Sequence, residues 1–284
     1  MKEAQALILE IAQRLQDING VEAVALGGSR ARGTHRSDSD IDIGIYYHPD
    51  HPLDLDALEF LANEIDDQHR TGLVTSLGGW GPWINGGGWL TVQRFPVDFL
   101  YRDLERVSDC IDSCCDGHVQ IAYQPGHPHG FLTHIYLAEI ALCQSLWDPK
   151  GTLFKLKART VPYPPKLKQA IIERFHWEAD FSLKVARKAI NKRDVSYVAG
   201  CCFRCVSCLM QTLFALNCQY WMNEKGAVAL ASTFALCPVQ LQSRIDNAFT
   251  QLETHTGLAH ALEVLGELVR EAETLVSQRQ ILDG

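Results

Sequence analysis

The sequence predicts an α+β fold, with a small mixed-sheet domain over residues 1–125 and an all-α domain over residues 126–284. Three observations carry that prediction. Residues 39–46 alternate: Ile41, Ile43 and Ile45 point one way, and Asp38, Asp40, Asp42 and Gly44 point the other. The elements before residue 125 read helix, strand, strand, helix and then several strands. Beyond the turn-rich stretch QPGHPHGF at 124–131, apolar residues recur at helical spacing almost to the end of the chain.

Each element has its own signal. Leu7, Ile8, Ile11, Leu15 and Ile18 mark an amphipathic helix, stopped by Asn19-Gly20. VEAVAL, residues 21–26, reads as a buried strand ending at Gly27-Gly28. Leu55, Leu58, Leu61 and Ile65 share one face of a helix expected over 55–69. Further strands are expected at 73–77, 89–94 and 97–101. In the second half, Pro164-Pro165 opens a helix running to about Asn191, since proline is tolerated in a first turn. Helices follow at 195–216, 239–252 and 258–277.

Composition narrows the function classes. The chain has 284 residues, 46% hydrophobic and 21% charged, with 26 basic and 34 acidic residues and a net charge of −8. These fractions are ordinary for a globular protein and argue against wholesale disorder. No apolar run approaches the roughly 18–20 residues of a membrane helix. The N-terminus carries acids among its apolar residues, unlike a secretory leader. A cytoplasmic protein without a membrane partner is expected. The acidic balance also argues against binding bulk duplex nucleic acid. Ten cysteines fit that compartment, four of them in GCCFRCVSCLMQTLFAL. CxxC occurs there once, at Cys205 and Cys208, without a second ligand pair in the sequence, so these thiols read as core residues. Charge is uneven: residues 155–193 hold eleven basic and three acidic residues. Lys184, Arg187 and Lys188, at i, i+3 and i+4, form either a solvated face or an anion-facing one.

The chemistry lies in LGGSRARGTHRSDSDIDIGI, residues 26–45. A strand enters Gly27-Gly28-Ser29, ten residues follow, and then comes Asp40-Ile41-Asp42. Glycines at a turn let backbone N–H groups approach phosphate oxygens, and a serine hydroxyl adds a donor. Asp40 and Asp42, two apart on a strand, leave the same face about 6.5 Å apart. Oxygen-only donors so placed suit Mg²⁺, and one or two such ions support phosphoryl or nucleotidyl transfer.

GGS, ten residues and DID together resemble the signature of the nucleotidyltransferase superfamily, which includes DNA polymerase beta, poly(A) polymerases and aminoglycoside nucleotidyltransferases. The wording GSRARGTHRSDSDID is most similar to the minimal and antibiotic-modifying bacterial branches. That resemblance implies a third carboxylate on a later strand, and FPVDFLYRDL offers Asp98, with Asp103 read as the cap of the next helix. By the same resemblance Gly28 and Ser29 hold the nucleotide's phosphates, and Asp40, Asp42 and Asp98 are catalytic and bind two Mg²⁺ ions. The substrates implied are ATP or another NTP and an acceptor, taken by a helical acceptor domain over 126–284. Asp38 is peripheral, since the family places an apolar residue between its two acids.

Other candidates keep two readings each. GGWGPWINGGGWL, residues 78–90, is either a hairpin with tryptophan on the sheet or a mobile loop presenting Trp80 or Trp83 to a base or to an acceptor ring. His127 and His129 are junction or site histidines. Glu139 is a helix glutamate or a general base competing with Asp98 for that role. Lys225, in NEKG, is a loop lysine or a triphosphate ligand. The acceptor is expected to be a small polycation such as an aminoglycoside, with a protein or an RNA end as the rival. An antitoxin-like regulatory module is the reading from another class, disfavoured by the roughly 150-residue helical half.

Overall fold

The computed structural model describes residues 2–283, and alternating or 3.6-residue apolar patterns account for most of its elements. In order they are α1 (Lys2–Leu15), β1 (Ala23–Leu26), α2 (Gly28–Arg32), β2 (Ile41–Tyr47), α3 (Leu55–Ile65), β3 (Gly87–Val92), β4 (Phe95–Asp103), α4 (Leu104–Cys115), β5 (Ile121–Ala122), β6 (Phe131–Leu132), α5 (His134–Leu142), β7 (Gln144–Trp147), α6 (Thr152–Ala158), α7 (Pro165–Ala189), α8 (Val195–Leu216), α9 (Ala227–Ala231), α10 (Leu241–Thr250) and α11 (His255–Asp283). The protein is α+β, with its sheet in the N-terminal part and helices after it.

The chain divides into two compact units. The first runs to Cys114 and adds Gln120–Gly126 and Phe131–Pro162. Its five-stranded sheet has the order β3-β4-β2-β1-β7, with β2 and β4 parallel and the other pairs antiparallel. One sheet face is the core: Val24, Leu26, Ile41, Ile43, Ile45, Val97, Phe99 and Tyr101 pack with Leu7, Ile11 and Leu15 of α1 and Leu58 of α3. Asp54 caps α3 by accepting from the Ala57 N–H at 3.0 Å. The other sheet face carries the polar residues.

Three expectations are corrected here. The sheet takes β7 from beyond residue 125, so the first unit extends to Pro162 and the region after 125 is not wholly helical. Residues 73–77 form an isolated bridge, Val74 with Gly88, and not a strand, because the Glu59 carboxylate accepts from the N–H groups of Gly72, Leu73 and Val74. The helix expected to reach residue 69 stops at Ile65, where Asp66 turns back to the β3 edge and accepts from Thr91 N.

The second unit comprises Cys115–Val119, His127–Gly130 and the chain from Tyr163 onward. Helices α7 and α8 form its centre, and α11 packs on both. Leu167, Phe175, Leu183, Val198, Leu209, Leu213, Leu262 and Leu265 are buried there. Cys202, Cys205 and Cys208 lie in the same core. Burial pushes the Cys202 thiol up to about 12. Contrary to the sequence expectation, α8 is long and apolar enough to cross a membrane, and it serves as a core helix, mostly buried. The basic run over 155–193 is divided between the two units, and several of its members are engaged each within its own unit. Lys184 pairs with Asp180, Lys166 with Asp116 and Arg159 with Asp112, while Arg174 donates to Val119 O.

Candidate active site

Burial of one strand face places the carboxylates on the other. Ile41, Ile43 and Ile45 of β2 and Val97, Phe99 and Tyr101 of β4 are fully buried, each large apolar side chain contributing about 1.5–3 kcal/mol. The alternation turns Asp42 and Asp98 to the opposite face. The parallel register pairs Asp42 directly with Asp98, across strands about 4.8 Å apart. A slip of one residue would bury both acids and expose the isoleucines, so core packing also fixes the pair. On the far side of β4, Trp89 of β3 is the register partner of Asp98 and stands 61% exposed.

The glycine turn abuts this pair from the β1 side. Gly27 N donates to Asp42 O at 2.8 Å, anchoring the turn to β2. Gly28 has φ +60°, and a Cβ there would lie 1.7 Å from Asp42 Oδ2. Only glycine satisfies both the backbone and the carboxylate. Ser29 follows, half-buried, in the first turn of α2, whose leading N–H groups have no partner within the helix.

Four bases lie between the turn and β2, Arg30 and Arg32 on α2 and His35 and Arg36 in the loop after it, and they divide by role. Arg30 is buried and structural: its guanidinium donates to Asp40 O at 3.0 Å and Ser39 O at 2.6 Å and lies over the Phe95 ring. Arg36 pairs with Asp38 in solvent, which leaves Asp38 peripheral. Arg32 differs. Its Nε is buried without a hydrogen-bond partner among the described residues, as is His35 Nδ1. Burial draws the Arg32 pKa below the ordinary arginine value, and the Asp42 carboxylate opposes that shift. Buried polar atoms without partners are rare, and these two follow Gly28 by four and seven residues. Reading the motif for glycine and aspartate alone misses both, although four bases in seven residues were a visible signal.

Asp40 is exposed and stands one residue ahead of β2, where its carbonyl serves Arg30. Of the three expected acids, register brings Asp42 and Asp98 together, with Asp40 at the strand entrance. Asp103 ends β4 and accepts from Glu105 N and Arg106 N, as expected of a cap. The carboxylates of Asp42 and Asp98, facing a turn that has no Cβ to fill the space, fit a hard divalent cation with oxygen donors.

Glu139 is held elsewhere on the same unit. Its two oxygens accept from Nε and Nη2 of buried Arg102, both at 2.7 Å. Arg102 lies four residues beyond Asp98 on β4, about 13 Å along the strand. A carboxylate clamped in this way is a structural counter-ion, so the sequence alternative of Glu139 as general base loses its support. The tryptophans of the loop pack within their own unit: Trp80 stacks on Trp89 with ring centroids 4.5 Å apart, over Gly87, while Trp83 packs on Phe131. His127, His129 and Lys225 belong to the second unit; Lys225 is exposed in the loop before α9.

Residues 8–76 match the family model of the nucleotidyltransferase domain. Among solved structures, the chain is similar to a nucleotidyltransferase-like protein from Exiguobacterium sibiricum 255-15. The identity is 8% and the TM-score 0.42, covering 98% of this chain and 77% of that one. No curated protein matches. The family match spans the glycine turn, Asp40 and Asp42, so over residues 8–76 the chain is similar to the nucleotidyltransferase domain.

Proposed function

We propose that this enzyme transfers a nucleoside monophosphate, AMP from ATP, to an acceptor hydroxyl with release of pyrophosphate. The observation that carries the reading is the Asp42–Asp98 register pair beside a glycine that only a Cβ-free residue can occupy. Gly28 and Ser29 present backbone N–H groups and a hydroxyl to the phosphates, and the unpartnered Arg32 and His35 atoms extend that cradle. Asp40, Asp42 and Asp98 would hold the divalent ions, two Mg²⁺ in this reading. Bound Mg²⁺ supplies charge neutralisation at the α-phosphate and lowers the pKa of the acceptor hydroxyl. Asp98 takes the proton as the acceptor oxygen bonds to the α-phosphorus, and the bond to the pyrophosphate oxygen breaks.

In this reading the two substrates approach the acids from opposite sides of the sheet. The turn lies on the β1 side of the acids and the Trp89–Trp80 stack on the β3 side. An exposed indole beside a carboxylate suits a ring that carries positive charge. That feature and the net charge of −8 favour a small polyhydroxylated cation, aminoglycoside-like, as acceptor. Incubation with NTPs labelled at the α- or γ-phosphate, followed by the mass of the product, tests the reaction class. The product should gain one nucleoside monophosphate and the α label. Transfer of the γ label would contradict the reading.

A further inference from the structure

Three metal-capable side chains of the helical unit gather at one point. A His129 ring nitrogen, a Glu178 carboxylate oxygen and Cys208 Sγ lie within 4.8 Å of one another, and Sγ is 3.9 Å from His129 Nε2. We propose that His129, Glu178 and Cys208 form a binding site for a zinc-like divalent cation, separate from the Asp42–Asp98 pair.

The donor set argues for the kind of metal. One sulfur, one imidazole nitrogen and one carboxylate oxygen suit a borderline-soft ion such as Zn²⁺, whereas Mg²⁺ prefers oxygen alone. With bonds of about 2.3 Å to sulfur and 2.0–2.1 Å to nitrogen, tetrahedral co-ligands sit roughly 3.5 Å apart. The observed 3.9 Å needs an adjustment of only a few tenths of an ångström. The ligands come from the 127–130 loop, α7 and α8, so the ion would tie three separate segments together.

The surroundings hold the ligands in place. Glu224 accepts from His129 N at 2.8 Å and lies 3.6 Å from His127 Nδ1, fixing the loop. Arg204 pairs with Glu178 through Oε1, which leaves Oε2 outside that ion pair. Three protein donors leave a fourth position for water. Glu178 and Arg204 also line an 890 Å³ cavity with Trp177, Phe181 and Tyr197, which gives that water a route. On binding, the Cys208 S–H bond breaks, a sulfur–metal bond forms and the proton leaves to buffer. Cys205, its CxxC partner in sequence, is not part of the cluster.

Cobalt titration of the metal-free full chain tests the site, because a thiolate-to-cobalt charge-transfer band reports sulfur ligation and is silent on a carboxylate site. One equivalent should develop the band and Zn²⁺ should abolish it. Cys208→Ser should remove it, and Cys202→Ser should leave it. His129→Gln, a loop substitution that spares the helix core, should weaken cobalt affinity roughly tenfold or more. It carries the test if Cys208→Ser fails to fold by circular dichroism. Folded wild-type protein without a band, a band that survives Cys208→Ser, or unchanged affinity in His129→Gln would each overturn the proposal.

Discussion

Asp42 and Asp98 are register partners in adjacent parallel strands, while every neighbouring residue of β2 and β4 that faces the other way is fully buried. The pairing of the two acids is thus a by-product of core packing, and the proposed site yields predictions that separate chemistry from stability. Asp42→Asn and Asp98→Asn should each lower transfer about 10³-fold, the loss of several kcal/mol of charge stabilisation. Melting temperatures should change little, since both side chains lie off the core. Near-native turnover in either purified variant, measured with saturating Mg²⁺, would remove it from the site.

Gly28→Ala introduces a methyl group where the Asp42 carboxylate lies. A displacement of about 1 Å in a reacting group costs on the order of 100-fold in rate. Steady-state kinetics should show that loss in kcat, with the far-ultraviolet dichroism unchanged.

Arg32→Gln removes a half-buried cation whose Nε has no hydrogen-bond partner among the described residues. Charge-assisted hydrogen bonds are worth about 1.5–3 kcal/mol, so NTP affinity should fall roughly tenfold or more. Calorimetry should find adenosine binding unaffected, because the contact is to phosphate.

Glu139→Gln distinguishes a counter-ion from a base. Leaving Arg102 buried without its carboxylate should cost about 3–5 kcal/mol of stability, read by urea denaturation. The pH profile of kcat in protein that remains folded should keep its acid limb. Loss of that limb would restore Glu139 as the base.

Asp66 gives the pH dependence. Its buried carboxylate accepts from Arg70 Nε and Nη2 at 2.9 and 2.6 Å and from Thr91 N at 3.0 Å, and these bonds hold its pKa well below the usual carboxylate range. A group depressed in the folded state stabilises above its unfolded value, near 3.8, and loses that contribution as pH falls further. Asp66→Asn should cost about 2 kcal/mol at neutral pH. Wild-type and variant stabilities should converge below pH 4 in acid-unfolding curves.

Local signals made much of this legible before the fold was known. Isoleucine alternation announced β2, the Pro164-Pro165 pair announced α7, and apolar spacing placed α8 at its observed bounds. The motif likewise marked the turn and its acids. What stayed hidden depends on distant partners. Gln144–Trp147 becomes β7 by pairing with β1, more than a hundred residues earlier, and four half-exposed residues carry no periodic signal. Residues 73–77 look strand-like, yet a glutamate takes their N–H groups. Arg32 and His35 are distinguished from Arg30 and Arg36 only by what surrounds them.

The most direct test of the central claim is calorimetric titration of a non-hydrolysable ATP analogue into wild-type protein and Asp42→Asn, with Mg²⁺ and with chelator. The account predicts tight binding only for wild type with Mg²⁺, and loss of at least about tenfold in affinity when either the metal or the carboxylate is removed. Equal affinity in all four titrations would contradict a metal–nucleotide site at Asp42 and Asp98.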